Sequence, residues 1–141
     1  MTMQKQMNFI KRRLLIQSKT RFAEGREAMS VVTDNLLGQY VEEVKKIYGE
    51  RLKSVILYGS YARGDFGPDS DIDIMILVDL ADMEIEKYSK QLSWSTYDFN
   101  EKHDTDIKPI AKSDTNFKKW LGIYPFYTNV QREGVELYGT A

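Results

Sequence analysis

The sequence predicts an α/β (α+β) fold in which helices flank a mixed β-sheet. Apolar residues at helical spacing alternate along the chain with short, continuous apolar runs, which is typical of such a sandwich. Helices are predicted at about residues 34–49, 82–101, 114–120 and 125–134. Strands are predicted at about residues 54–58, 71–78 and 135–138, with another beginning near Asp106.

Apolar spacing marks the first two helices, and capping residues mark the later two. The apolar positions at helical spacing are Leu37, Val41, Val44, Ile47 and Tyr48 in the first helix and Ile85, Tyr88 and Leu92 in the second. Gly49 is a suitable end for the first helix. Ser113 is a suitable N-cap for the third, and Pro125 falls in the first turn of the fourth, which Gly134 closes. Tyr58, Tyr88 and Tyr97 occupy core-compatible positions, so we expect them to pack inside.

A short apolar run, Val55 to Tyr58, leads into a turn at Gly59-Ser60. The run has no polar alternation, which predicts a strand buried on both faces. Small side chains in the turn let backbone N–H groups approach a phosphate. If a helix begins there, its N-terminal end favours the same anion.

Asp71 and Asp73 lie within a second apolar run that ends at Val78. Because strand side chains alternate between faces, both carboxylates should point the same way while Ile72 and Ile74 point into the core. Two carboxylates at one edge of a sheet, beside a turn that binds phosphate, predict a Mg²⁺ site for nucleotide chemistry.

An EF-hand calcium loop is a rival explanation for these acids. Asp69, Asp71 and Asp73 imitate the start of that loop. The loop then needs a glycine where this chain has Ile74 and a bidentate glutamate where it has Leu80. The spacing therefore argues against calcium binding.

A P-loop is a second rival explanation, because Gly59 and Gly64 have its glycine spacing. Asp65 stands where a P-loop requires the phosphate-binding lysine, so the spacing argues against this motif. The purely structural alternative is an ordinary turn followed by a solvated acidic edge. The acidic pair interrupts an otherwise apolar strand, which favours a functional site.

The segment GSYARGDFGPDSDIDI, from Gly59 to Ile74, resembles the signature of the polymerase β-like nucleotidyltransferase superfamily, in which Gly-Ser is followed after ten residues by Asp-x-Asp. Within that superfamily it is similar to the minimal nucleotidyltransferase (MNT) branch, whose members are often encoded beside a HEPN-type protein. The resemblance covers about residues 30–139, since residues 36–48 resemble the opening helix of the family and residues 127–139 its closing helix and strand.

The resemblance implies a catalytic and metal site made by Asp71, Asp73 and a third carboxylate on a neighbouring strand. We expect this third residue to be Asp106, followed by Ile107 as is common in the family, although strand parity alone leaves Asp104 open. The three carboxylates would hold two Mg²⁺ ions about 4 Å apart, and Asp106 is the general-base candidate.

The resemblance also implies a nucleotide-binding turn, with ATP as the expected donor among the nucleoside triphosphates. Ser60, next to Gly59, would hydrogen-bond the β- and γ-phosphates. Arg63 is a fork donor suited to a phosphate, and an ion pair with Asp65 is an equal alternative for it.

The length, cysteine content and net charge of the chain indicate where the protein acts and which partners it has. With 141 residues the chain is expected to form one domain without a second substrate-binding domain, so another molecule should bring the acceptor. The absence of cysteine fits a reducing cytoplasm, and no apolar run approaches the roughly 18 residues that span a bilayer. A net charge of −1 argues against a stable nucleic-acid partner.

We divide the chain into a basic N-terminal extension, residues 1–29, and a nucleotidyltransferase domain, residues 30–141. Residues 1–30 hold seven Lys or Arg against two Glu. We expect the extension to be either disordered or helical. Met29 directly precedes the first patterned helix, so a second hypothesis is that residues 1–28 are translated upstream sequence.

Three functions follow from the resemblance. The first is Mg²⁺-dependent transfer of a nucleotidyl group, AMP from ATP, to a hydroxyl of a cognate HEPN-type toxin, which makes this chain an antitoxin. The second is a non-catalytic antitoxin that neutralises its partner by binding. The third is a small-molecule nucleotidyltransferase of the aminoglycoside type that works as a homodimer, so a homo-oligomer is left open.

Overall fold

The computed structural model describes the backbone of residues 22–140 and the side chains from residue 34 onward. Residues 1–21 of the predicted extension lie outside the described residues. The helices are α1 (Phe22–Tyr48), α2 (Ser60–Arg63), α3 (Asp82–Glu86), α4 (Ser89–His103), α5 (Asp114–Trp120) and α6 (Pro125–Glu133). The strands are β1 (Leu52–Tyr58), β2 (Ile72–Val78), β3 (Ile107–Ser113) and β4 (Val135–Gly139). A 3-10 turn, Gly49–Arg51, joins α1 to β1.

The four strands form one mixed sheet in the order β3-β2-β1-β4. β1 pairs antiparallel with both β2 and β4, whereas β2 and β3 are parallel. Tyr58 at the end of β1 faces Asp73 near the start of β2, and Asp73 in turn lies beside Lys108 near the start of β3. The end of β1 and the beginnings of β2 and β3 therefore meet at one edge of the sheet. The predicted mixed α/β architecture is confirmed.

Strand β2 is buried on both faces of the sheet, as its continuous apolar sequence indicates. Ile72, Ile74 and Ile76 belong to the larger core, which α1 and α4 cover. Met75 and Leu77 point to the opposite face, where they pack against residues of α5 and α6. Asp73 shares the parity of Met75. The acidic side chain therefore emerges on the face that α5 and α6 cover.

The helix bounds differ from the sequence prediction in two places. α1 begins at Phe22 and runs without a break across the expected domain boundary near residue 30. The helix predicted at 82–101 is interrupted near Tyr88, whose ring contacts that of Tyr48 at 5.2 Å between centroids, and it continues to His103. Within residues 22–140 no helix combines the length and the apolar character needed to cross a membrane.

The prediction that Tyr97 packs in the core is wrong. Its side chain is 57 % exposed, because the buried face of α4 is set by Leu92, Thr96 and Phe99. Those positions follow the helical repeat, and a residue directly after Thr96 is turned about 100° away from them. Tyr58 and Tyr88 are partly buried, in keeping with the expectation for them.

A buried hydrogen bond fixes α4 against α1. The hydroxyls of Tyr40 and Thr96 lie 2.7 Å apart, and both residues are almost inaccessible to solvent. Burial is the main reason that the pKa of Tyr40 is raised to about 12. The Tyr40 hydroxyl is therefore neutral at physiological pH and able to share this bond.

We predict that Tyr40→Phe lowers the free energy of unfolding by about 1–2 kcal/mol, because the Thr96 hydroxyl loses its partner inside the core. Combining it with Thr96→Val should cost less than the sum of the two single changes, since both polar groups are then removed together. Urea denaturation of the three variants measures this coupling. Tyr97→Phe on the exposed face of α4 is the control, and additive single costs would contradict the prediction.

Candidate active site

The turn after β1 is built on a glycine with a conformation that other residues rarely adopt. Gly59 has φ 74° and ψ −153°, and the single helical turn α2 begins directly after it. Arg63 N–H and Gly64 N–H close this turn by donating to the carbonyls of Gly59 and Ser60, at 3.1 and 2.9 Å. The first N–H groups of a helix have no acceptor within it. The turn thus presents N–H donors at the end of β1, which suits a phosphate.

Gly59 also brings the turn into close contact with one carboxylate. A Cβ atom at this position would lie 2.5 Å from Asp73 Oδ2, well inside contact distance. The absence of a side chain is what lets the Gly59-Ser60 turn and the acidic strand touch. The two halves of the signature found in the sequence are therefore adjacent in space.

Asp71, Asp73 and Asp106 gather at the edge where β2 and β3 begin. Ile72 N–H donates to the Asp106 carbonyl at 2.9 Å, so the residue before β3 lies beside the residue before β2. A hydrogen bond shared with the Asp71 carboxyl is the main cause that raises the pKa of Asp106. The pKa of Asp73 is raised by burial and then by the charge of Asp71. These shifts are typical of like charges held close together.

The choice between Asp104 and Asp106, which strand parity left open, has a clear geometric basis. Asp104 lies at the C-cap of α4 in a left-handed conformation (φ 52°, ψ 48°), before the strand begins. Asp106 directly precedes β3 and contacts Asp71. Of the two, only Asp106 is part of the acidic cluster.

Lys108 is a member of this cluster that the sequence analysis missed. Its ammonium lies 3.7 Å from Asp106 Oδ1 and lowers the pKa of both Asp73 and Asp106, which partly offsets the repulsion between the acids. Within residues 34–140, no three acidic or histidine side chains converge on one metal-ion position as they stand. The donor set is nevertheless three carboxylates beside a phosphate-binding turn, which is the chemistry that Mg²⁺ prefers.

The turn and two of the carboxylates open into a cleft of about 490 Å³, within the usual size of small-molecule sites. Asp106 is not among the residues that line it. One wall is formed by α6, a contribution that the sequence analysis did not foresee. The residues that line this wall are Phe126, Asn129, Val130 and Glu133. Their i, i+3, i+4, i+7 spacing, which is that of one helix face, was the available signal.

Arg63 lines the cleft and is held by two acids at once. Its guanidinium contacts Asp65 Oδ2 at 3.2 Å and Glu133 Oε2 at 3.4 Å. The ion pair with Asp65 that was considered from the sequence is therefore present. The second pair ties the turn after β1 to the C-terminal end of α6.

Sequence comparison places this site in a known family. The profile of the nucleotidyltransferase domain matches residues 37–121, from α1 to the end of α5. This range contains the turn and all three carboxylates. The chain belongs to the nucleotidyltransferase domain family. The prediction of a nucleotidyltransferase made from residues 59–74 is confirmed.

Two relatives of this nucleotidyltransferase come from Methanocaldococcus jannaschii, and both are described as "Putative protein adenylyltransferase". One is 36% identical over 106 residues, an alignment that covers 74% of this chain and 97% of the relative. The other is 31% identical over 102 residues, covering 72% of this chain and 95% of the relative. The chain therefore spans nearly the whole length of each.

Two of the solved structures similar to this nucleotidyltransferase are toxin–antitoxin complexes. A crystal structure of a toxin–antitoxin with AMP-PNP has 20% identity and a TM-score of 0.43, with 73% of each chain covered. A complex of a tri-AMPylated Shewanella oneidensis HEPN toxin with its MNT antitoxin has 19% identity and a TM-score of 0.40, covering 76% of this chain and 73% of that one.

We predict that Gly59→Ala abolishes nucleotide binding and destabilises the fold by about 1–3 kcal/mol. The new methyl group would enforce strain at a positive φ and push against the Asp73 carboxylate. Titration with Mg²⁺-ATP and urea denaturation measure the two effects. Gly38→Ala is the matched control, because Gly38 lies within α1 and a Cβ there would meet nothing within 4 Å. Normal ATP binding by Gly59→Ala would contradict this assignment of the turn.

Proposed function

We propose that this nucleotidyltransferase transfers AMP from ATP to a hydroxyl group of a HEPN-type partner protein and thereby acts as its antitoxin. The observation that carries the proposal is the cluster of Asp71, Asp73 and Asp106 next to the Gly59-Ser60 turn, at one end of an open cleft. This arrangement provides a triphosphate site and an acidic centre in contact with it.

The names of the relatives support a protein as the acceptor. Both M. jannaschii relatives are described as protein adenylyltransferases, and this chain aligns with nearly their full length. The resemblance of residues 59–74 to the MNT branch supports a HEPN-type protein as the specific partner.

The reaction requires attack on the α-phosphorus of ATP. The acceptor oxygen forms a bond to that phosphorus, the bond to the bridging oxygen breaks, and pyrophosphate leaves with the electron pair. The acceptor proton passes to a carboxylate, for which Asp106, next to Asp71 and directly before β3, is the candidate. The N–H groups of the turn and the Ser60 hydroxyl would bind the leaving β- and γ-phosphates.

Asp71, Asp73 and Asp106 are the residues that would hold Mg²⁺. When bound, Mg²⁺ neutralises phosphate charge and lowers the pKa of the acceptor hydroxyl. Arg63 would donate to a phosphate oxygen while Asp65 and Glu133 orient its guanidinium. Positioning and charge stabilisation then supply most of the rate, and no covalent enzyme intermediate is needed.

We predict that the partner protein, incubated with this chain, Mg²⁺ and ATP, gains the mass of one or more AMP groups. Asp73→Asn should abolish this gain, because it removes a carboxylate from the centre of the cluster. Asp69→Asn should leave it unchanged, since Asp69 is exposed and outside the cleft lining. Intact-mass spectrometry of the partner measures all three outcomes.

Two results would redirect the proposal. A tight complex without any gain in mass, together with full protection of cells by Asp71→Asn/Asp73→Asn, would favour an antitoxin that acts by binding. Modification of an aminoglycoside but not of the partner protein would favour a small-molecule nucleotidyltransferase. Equal loss with Asp69→Asn and Asp73→Asn would point to a damaged fold rather than to catalysis.

A further inference from the structure

We propose that the cleft face of α6 is the nucleoside subsite of this enzyme, with the nucleobase stacked on Phe126 and the ribose next to Asn129. This inference rests on the proposed function, because it assigns the part of the donor nucleotide that the turn and the carboxylates do not contact. It also gives a residue basis for the choice of nucleotide.

The position of α6 fixes the direction in which a nucleotide can lie. Glu133, at the C-terminal end of the helix, contacts Arg63 of the phosphate-binding turn at 3.4 Å. Phe126 lies seven residues earlier on the same face, which is about 10 Å along the helix axis. A nucleotide lying along this face would therefore contact Phe126 with its base, Asn129 with its ribose and the turn with its phosphates.

Phe126 has the properties of a stacking platform. Its side chain is 44 % exposed although it lines a cleft that also contains Asp71 and Asp73. Two perpendicular neighbours hold the ring: Tyr58 at 5.8 Å and Tyr127 at 5.3 Å between centroids. A fixed aromatic ring that stays accessible in a polar cleft offers its surface to a flat ligand. Every nucleobase has such a face.

The ring of Tyr58 packs against Phe126 and lies on the side of the cleft where Asp73 is found. It faces Asp73 across the β1–β2 pairing, and burial followed by the Asp73 charge raises its pKa to about 12. The hydroxyl is thus neutral at physiological pH and adds no charge to the cleft. Tyr58 therefore contacts the Phe126 ring and is also the cross-strand neighbour of Asp73.

Asn129 supplies the polar contact that the ribose position needs. It lines the cleft one helical turn closer to the phosphates than Phe126. Its Oδ1 accepts a hydrogen bond from Arg132 Nη2 at 3.0 Å, which orients the amide and leaves Nδ2 as a donor. A ribose hydroxyl is a suitable acceptor. Stacking accepts every base, and because a purine covers more of the ring than a pyrimidine, the subsite gives a modest preference for purine nucleotides.

The test compares nucleotide with bare polyphosphate. Dissociation constants are measured for Mg²⁺-ATP, Mg²⁺-CTP and inorganic tripolyphosphate, without the partner protein, so the outcome does not depend on the acceptor. Phe126→Ala should weaken ATP binding about tenfold or more, the usual loss when a stacked aromatic is removed, and leave tripolyphosphate binding unchanged. Phe126→Trp should keep ATP binding, and wild type should prefer ATP to CTP.

Tyr124→Ala is the matched control, because Tyr124 is an exposed aromatic beside α6 that does not line the cleft. The inference is overturned if Phe126→Ala binds ATP like the wild type, if ATP and tripolyphosphate lose affinity equally, or if wild type binds ATP no better than tripolyphosphate. In a separate binding assay with the partner protein, loss of partner binding by Phe126→Ala with unchanged ATP affinity would overturn it in favour of a protein-docking surface. A dependence of ATP binding on Phe126 without AMP transfer to the partner would refute the acceptor and leave the subsite standing.

Discussion

The pairing of β2 with β1 on one side and β3 on the other is the constraint on which the candidate site depends. The antiparallel register with β1 places the Gly59 turn against Asp73, and the parallel register with β3 places Asp106 beside Asp71. A shift by one residue would turn each acid of β2 to the other face of the sheet. Ile72, Ile74 and Ile76 prevent such a shift, because they would then leave the larger core.

This register holds three carboxylates close together. Their repulsion costs free energy, and the same negative charge makes the site attract cations. Burial and the charge of Asp71 raise the pKa of Asp73, and a hydrogen bond with the Asp71 carboxyl raises the pKa of Asp106. Lys108 offsets part of both effects. The cluster attracts positive charge at the point where the turn would hold phosphates. Such a site binds the cation and the polyphosphate together more readily than either alone, since each compensates the charge of the other.

The features predictable from the sequence are those encoded by local spacing. Asp71 and Asp73 have one residue between them, which gives them a shared face, and the apolar run after them predicts a strand buried in the core. The i, i+3, i+4, i+7 spacing marks one face of α6, but spacing could not show that this face forms a wall of the cleft, because Glu133 meets Arg63 of the turn only once β4 pairs back onto β1. The exclusion of Asp104 from the acidic cluster likewise required the position at which α4 ends, and the exposure of Tyr97 required the orientation of α4.

If the acidic cluster and the turn catalyse attack on the α-phosphorus of a nucleoside triphosphate, the α-phosphate must end on the acceptor. The most direct measurement follows the label from ATP carrying ³²P in either the α or the γ position, with this chain, Mg²⁺ and the co-expressed partner. We expect the α label to become attached to the partner and the γ label to be released within pyrophosphate. Attachment of the γ label, or of neither label, would contradict this expectation.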